Sequence, residues 1–277
     1  INLFLTITTM KVSVIIPSYR PGNYVYECLD SLMNQSLDAL RFEVIVVLNG
    51  TRDPYWEQLS RYAKRHGNIR LLHEAVAGVS NARNVGMKHA WGDFFAFVDD
   101  DDVVSSNYLE ELLKISTPTI LGVSNVHSFV DSVDNWDNDF FACKVIQEQR
   151  NLKSLFKNRS ILSFPVAKLI HRDMVCGRQF DVRFANGEDS LFITKISDKI
   201  IGFAFTDLSA CYFVRKREGS ATRHNFKIRS IAKDSYSLIR SYVSIYLASP
   251  SKYNFLLFLS RIPGVIKGNV MMYLRNR

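Results

Sequence analysis

Nearly unbroken apolar runs alternating with stretches of helical periodicity constrain this chain more than any other feature. Residues 12–16 read Val-Ser-Val-Ile-Ile, residues 42–48 Phe-Glu-Val-Ile-Val-Val-Leu and residues 94–98 Phe-Phe-Ala-Phe-Val, the pattern of strands buried on both faces. Between them Tyr24, Val25, Cys28, Leu29, Leu32 and Met33 recur at helical spacing, as do Trp56, Leu59, Tyr62 and Ala63. A strand is predicted over residues 69–72, and a helix from Ser80 or Asn81 through His89. Strands alternating with helices predict an α/β fold: a mainly parallel, Rossmann-like sheet flanked by helices. With 277 residues, 47% of them hydrophobic, the chain has ample material for such a core. Pro17, Pro21-Gly22 and Asn49-Gly50 mark the ends and turns of the first two strands.

The third apolar run ends in four consecutive aspartates, Asp99, Asp100, Asp101 and Asp102. Neighbouring carboxylates raise one another's pKa unless a cation offsets them. Oxygen-only ligands favour a hard ion, magnesium or manganese, with positions left for phosphates and water. The alternative is a solvated acidic loop leading into a helix over residues 107–113, with Ser105 or Ser106 as its N-cap. Taken alone, the stretch leaves both readings open. In open α/β sheets, ligands gather at the carboxyl ends of strands. Residues 17–19, 48–50 and 99–102 all fall there, so three loops converge on one site.

Beyond residue 115 the pattern weakens. Strands are predicted over residues 119–123 and 166–170, a polar loop over 131–139, and a helix carrying Leu191, Phe192 and Ile196 after Glu188-Asp189. Cys28, Cys143, Cys176 and Cys211 are widely spaced without a CxxC pair, so buried thiols are expected rather than a disulfide framework or zinc site. Residues 1–9 are apolar but lack a basic leader and a cleavage site, making a poor signal peptide, and Met10 is a candidate start. The formal net charge of +8 is concentrated at one end: residues 212–277 hold 13 of the 35 Lys and Arg but 2 of the 27 Asp and Glu. There, basic residues interleave with apolar ones in two or three amphipathic helices. These suit an anionic leaflet or packing on the α/β domain or in a homodimer. They contain no nucleic-acid module such as an RNP sequence or zinc finger, so no nucleic-acid partner is expected.

The runs Val12-Ser13-Val14-Ile15-Ile16-Pro17-Ser18-Tyr19, Gly78-Val79-Ser80-Asn81-Ala82-Arg83-Asn84 and Phe97-Val98-Asp99-Asp100-Asp101-Asp102, with Glu188-Asp189 after them, together resemble the family 2 glycosyltransferases of the GT-A fold. The resemblance covers about residues 11–220, and ordered motifs are far more specific than any single one. Lys168-Leu169, Phe180-Asp181 and the stretch from Arg215 through Glu218-Gly219-Ser220 resemble the acceptor-side part of that family. The resemblance implies a GT-A domain over residues 10–220 and a basic amphipathic helical extension over residues 221–277. It further implies an inverting, metal-dependent enzyme that moves a hexosyl or N-acetylhexosaminyl group. The donor would be a nucleotide diphosphate-sugar, a UDP-sugar first among them, and the acceptor a glycan or lipid-linked sugar in surface polysaccharide synthesis. A cytoplasmic location, peripheral on the inner face of the membrane, follows from the same resemblance.

By position in the motifs, Asp101 holds Mn2+ or Mg2+ with Asp99, while Asp99 and Asp100 contact ribose or metal-bound water. The same correspondence makes Asp102 a helper or a helix cap, and Asp189 the expected catalytic base beside Glu188. Pro17, Tyr19 and Arg83 fall among the nucleotide-sugar-binding residues, and Lys168 and Glu188 on the acceptor side. Two departures stand out. Val47-Leu48-Asn49-Gly50-Thr51 lacks the acid that many relatives use on uracil, so Asn49 is the candidate reader of the base edge. Arg217 stands where many relatives carry a metal-binding His and is a candidate to hold the diphosphate. A nucleotidyltransferase of the same fold would need a Gly-rich phosphate loop after the first strand, which Ser18-Tyr19-Arg20-Pro21-Gly22 is not. A non-catalytic nucleotide-sugar-binding subunit stays open as the alternative.

Overall fold

The computed structural model describes residues 11–148, 152–217 and 228–275. The elements run β1 (Val12–Ser18), α1 (Tyr24–Met33), β2 (Phe42–Asn49), α2 (Tyr55–Ala63), β3 (Ile69–Glu74), α3 (Val79–His89) and β4 (Phe94–Phe97). There follow β5 (Val103–Val104), α4 (Tyr108–Ile115), β6 (Ile120–Val123), β7 (Asn125–Phe129), α5 (Cys143–Glu148), β8 (Lys168–His171), α6 (Arg172–Val175), α7 (Glu188–Ile196), β9 (Gly202–Phe205) and β10 (Cys211–Arg215). Two long helices close the chain, α8 (Ile228–Ala248) and α9 (Phe255–Arg275).

Among the described residues the main sheet has seven strands in the order β3-β2-β1-β4-β8-β6-β9. All its pairs are parallel except those of β8, which runs against both β4 and β6. This is the α/β, mainly parallel GT-A architecture expected from the sequence. Every residue of β1 and β2 is buried, as continuous apolar strands covered on both faces require. The strand order reverses beside β1, whose neighbours are β2 and β4, and the crevice at such a switch point is where open α/β sheets bind ligands. A second sheet, β5-β10-β7, stands behind the aspartates.

The opposite end of the sheet is held by a buried polar knot. Ser13 Oγ donates to Glu43 Oε1 (2.7 Å), the same oxygen accepts from Trp91 N (2.6 Å), and Arg70 pairs with Glu43 Oε2 (2.5 Å). Gly92 N donates to Ser13 Oγ (2.8 Å). A Cβ on Gly92 would lie 2.6 Å from Ser13 N and 2.7 Å from Val12 C, backbone atoms that cannot step aside. Gly92→Ala is therefore expected to cost about 3 kcal/mol or more of stability in chemical denaturation, the upper range for overpacking.

Several local readings change. Strand β1 passes through Pro17 to Ser18 instead of ending there, because the partner of Pro17 in the parallel register, Val47, still has sheet on its other side. Neither Ser105 nor Ser106 caps α4: its N-cap is Asn107, and Ser105 instead exchanges bonds with β10, accepting from Cys211 N (2.9 Å) and donating its own N–H to Cys211 O (3.0 Å). Cys176 is exposed, whereas Cys28, Cys143 and Cys211 are buried. Met10 and the Glu218-Gly219-Ser220 run lie outside the described residues.

The two C-terminal helices pack on α7. Leu238 and Tyr242 of α8 are buried with Phe184 and Leu191, and Tyr242 Oη donates to Ser190 Oγ (3.0 Å). Arg261 of α9 is buried and donates to Thr194 Oγ1 (3.0 Å), Leu162 O (2.8 Å), Arg159 O (3.2 Å) and Ser163 Oγ (3.1 Å). Among the described residues no helix is long and apolar enough to cross a membrane.

Candidate active site

The aspartate run sits at the carboxyl end of β4, and each of its carboxylates has a partner of its own. Asp99 Oδ1 accepts from Arg83 (2.9 Å) and Asp99 N donates to Tyr212 Oη (3.0 Å). Asp100 Oδ2 accepts from Ser18 Oγ (2.6 Å), tying the ends of β4 and β1 across the switch point. Asp101 is ion-paired through its carboxylate with Arg217 and accepts at its carbonyl from Arg215 Nε (2.9 Å). Asp102 is buried, accepting from Tyr212 Oη (2.7 Å) and Arg215 N (2.8 Å). It braces β10 against the site, so of its two expected roles neither the cap nor an open helper position describes it.

Burial first, and then repulsion from the neighbouring carboxylates, raises the pKa values of Asp100, Asp101 and Asp102. Asp100 is pushed up to about 7, with the Ser18 hydroxyl pulling the other way, and Asp101 is raised by burial and by Asp99 against the pull of Arg217. Carboxylates held above their ordinary range in this way are a site that lacks positive charge. The donor set is all oxygen, which fits Mn2+ or Mg2+. Among the described residues, however, no three His, Cys, Asp or Glu side chains converge to cage an ion. Asp101 and Asp99 would supply the protein's share, leaving the remaining positions to substrate phosphates and water.

Arg83 links this half of the site to the other. Its side chain is 3% exposed, one terminal nitrogen reaching Asp99 and the other Asp189 Oδ1 at 2.5 Å. Its Nε is buried with no partner among the described residues. The arrangement arises because Gly78, at φ +149, lets the chain turn into α3, so that the first turns of the helix face the carboxyl ends of β1 and β4. Asn84 does not point to the ligand side: its amide clamps Phe180, donating to Phe180 O and accepting from Phe180 N at 2.9 Å each.

Asp189 stands in the first turn of α7, after Gly187 at φ +80. A Cβ on Gly187 would lie 2.5 Å from Leu238 Cδ2, so α8 closes on the turn that presents the acid. Burial raises the Asp189 pKa and Arg83 lowers it. Glu188, buried beside it, is pushed up to about 8 by burial and by Asp189. An acid acting as base must be ionised, so loss of the Arg83 charge moves the acid limb of activity to higher pH. For Arg83→Gln we expect a lower kcat/KM whose acid limb rises by about one pH unit or more, read from pH–rate profiles.

Tyr19 is 51% exposed beside Gly50, whose left-handed φ of +81 keeps the ring's neighbour free of a Cβ that would come within 2.9 Å of it. Pro17 is buried in β1 and offers only backbone. Asn49 and Lys168, like Asp102, differ from expectation. Asn49 is buried with both ends of its amide taken: Nδ2 donates to Ser18 O (2.7 Å) and Oδ1 accepts from Gly78 N (2.8 Å). It fastens β1 to α3 rather than facing a base edge. Lys168 is fully buried, donating to Val166 O (2.9 Å) over the ring of Phe164. Enclosure pushes its pKa well below the usual lysine value, with Asp189 pulling it back up, so it bears on the site through charge and not through acceptor contact.

The sequence reading missed Tyr212 and Glu27, gave Ser18 a place in the site but no role, and saw Arg215 only as part of an acceptor-side motif. Arg215 pairs with Glu27 at 2.5 Å, carrying the small sheet onto α1. A signal existed: residues 211–215, Cys-Tyr-Phe-Val-Arg, have strand-forming composition, but the run is short and lies after a segment of weak periodicity.

The model of the family described as glycosyl transferase family 2 matches residues 13–182. A protein named "uncharacterized glycosyltransferase EpsJ", from Bacillus subtilis, is 39% identical over 123 residues, 44% of this chain and 35% of its own length. The chain thus spans about a third of that relative. Among solved structures, Staphylococcus aureus TarS 1-349 in complex with UDP-GlcNAc matches with a TM-score of 0.70 at 21% identity, over 84% of this chain and 67% of that one. The mannosyltransferase PcManGT from Pyrobaculum calidifontis, in complex with GDP-Man and Mn2+, matches with a TM-score of 0.62 at 15% identity, over 95% of this chain and 72% of that one.

Proposed function

The chain belongs to the glycosyl transferase family 2, and on that premise we propose that it is an inverting glycosyltransferase. It takes a sugar from a UDP-sugar and delivers it to a hydroxyl of a glycan or lipid-linked acceptor in the synthesis of a surface polysaccharide. The observation that carries the proposal is the Arg83 guanidinium, which joins Asp189 to Asp99 and so places a candidate base and the aspartate run in one site. The UDP-GlcNAc bound to TarS makes a UDP-sugar the first donor to try. In this reading the catalytic domain runs to about residue 220, in a stretch outside the described residues.

With Oδ1 of Asp189 engaged by Arg83, Oδ2 is left for the acceptor. It takes the hydroxyl proton as that oxygen attacks the anomeric carbon and the bond to the diphosphate breaks on the opposite face. Arg83 keeps the base ionised and in place. Tyr19 offers an exposed ring for the nucleoside base to stack on. Arg217 leaves Asp101 for the diphosphate, where a guanidinium meets phosphate oxygens well. A divalent ion held by Asp101 and Asp99 neutralises the leaving diphosphate when bound. Glu188 and Lys168, both buried, set the charge around Asp189, and Asn49 holds the loops that frame the pocket.

Calorimetric titration of UDP, GDP, dTDP and CDP, with Mn2+ and with EDTA, tests the donor side, and transfer from the matching sugar nucleotides tests the reaction. Tight UDP binding that weakens in EDTA is the expected result. Binding of none of the four overturns the donor assignment. The ion pair between Arg217 and Asp101, which occupies a metal-binding acid, favours a second reading, a subunit that binds nucleotide-sugar without transferring it. In that case nucleotide binding persists and no transfer is found with any donor.

A further inference from the structure

Helix α9 has two apolar faces. One is spent on the protein, where Leu257 and Arg261 are buried and Phe258 stacks on Tyr246 of α8 at 4.5 Å between ring centroids. On the other side Phe255, Leu256, Leu259 and Ile266 are 52%, 52%, 48% and 53% exposed, and Pro263 is exposed among them. At about 100° per residue these positions fall within an arc of about 100°. That is a continuous apolar stripe in water, and scattered exposure of single residues does not account for it.

The charge around the stripe selects its occupant. Lys252 precedes the helix and Lys267 borders the arc, both exposed. Residues 235–277 contain six Lys and Arg, of which Arg261 is buried, and no Asp or Glu. A helix with large apolar residues on one exposed face, basic residues at its margin and no acids is built to lie in the plane of an anionic lipid surface. We infer that the Phe255–Leu256–Leu259–Ile266 face of α9 docks on an anionic membrane surface, with Lys252 and Lys267 at the headgroups. A second copy of the chain would bury apolar area equally well but gives no use for one-signed charge around it.

The docking surface is fixed relative to the candidate base. Arg261 and Tyr253 join the hairpin to Thr194 and Lys195 of α7, and Tyr242 reaches Ser190, the residue after Asp189. A membrane against α9 therefore sits in a set orientation to the acceptor side, as a lipid-linked acceptor requires. Docking itself does not rest on the transfer reaction and is measured without it.

The test is co-sedimentation of the whole chain with phosphatidylcholine vesicles containing or lacking phosphatidylglycerol, at low and high salt. The unaltered protein is expected to bind the phosphatidylglycerol vesicles and to release as salt rises. Phe255→Asp with Leu259→Asp should lower that binding at least about tenfold with the far-UV circular dichroism of the unaltered protein retained, since both side chains are about half exposed and Phe255 gives up its ring contact with Tyr246. Lys252→Ser with Lys267→Ser should weaken binding several-fold and flatten its salt dependence. No binding by the unaltered protein, or binding indifferent to both pairs of substitutions, overturns the inference. So does a dimer in sedimentation velocity that the Phe255 and Leu259 substitutions dissolve while vesicles bind nothing, which assigns the face to a second copy.

Discussion

Asp189→Asn is expected to reduce kcat by about 10²–10⁴-fold, the usual contribution of a positioned base, while UDP binding stays within a factor of about two. The amide keeps the size of the carboxylate and can still accept from Arg83 through its oxygen, so the turn between Gly187 and α7 has no reason to move. What it loses is the capacity to take a proton. The split between chemistry and binding matters, because a loss of both would point to collapse of the Arg83 bridge instead. Single-turnover rates set beside calorimetric Kd values measure it, and full transfer activity in the asparagine variant would remove Asp189 from the mechanism. The Asp189→Glu variant serves as control: an intact proton acceptor one methylene longer should recover part of the rate.

Asp101→Ala is expected to abolish the metal-dependent part of UDP binding, leaving the affinity measured in EDTA. The same substitution frees Arg217 from its ion pair. Residual, metal-independent binding should therefore be equal to or tighter than that of the unaltered protein in EDTA, since the guanidinium no longer has to leave a carboxylate to reach a phosphate. Arg217→Ala should act in the opposite sense, weakening UDP in EDTA while relieving competition for Asp101 when Mn2+ is present. Calorimetry of the two variants with and without Mn2+ yields four affinities. If Asp101→Ala retains the full Mn2+ enhancement, another group holds the ion.

Much of this is legible in the sequence. The continuous apolar strands could be satisfied only by a sheet covered on both faces, and the charge-rich loops at their carboxyl ends had to meet at a switch point. That reasoning placed Asp99 to Asp102 and Tyr19 on one side of the molecule, and the family resemblance added Asp189. It failed where a residue's partners are distant in sequence. Asn49 looked like a base reader because its neighbours formed a known kind of loop, yet the backbone of Ser18 and Gly78, 31 and 29 residues away, claims both ends of its amide. Lys168 looked available because lysines are seldom enclosed, and only the packing of Phe164 and Val166 around it closes it off. The short strand β10 escaped notice, and with it the hydroxyl of Tyr212 that braces Asp99 and Asp102.

The amphipathic tail divides the same way. Its basic charge and helical spacing were plain in the sequence, but periodicity cannot say which apolar face a helix spends on its own protein. Contacts with the α/β domain decided that, by burying Leu238, Tyr242, Leu257 and Arg261 and leaving Phe255, Leu256, Leu259 and Ile266 outside. Local sequence thus determined the elements, their order and the family, because propensity and burial pattern act over a few residues. The tertiary structure alone decided which polar atoms are already taken and which remain for a ligand, because a hydrogen bond joins groups near in space however far apart they lie along the chain.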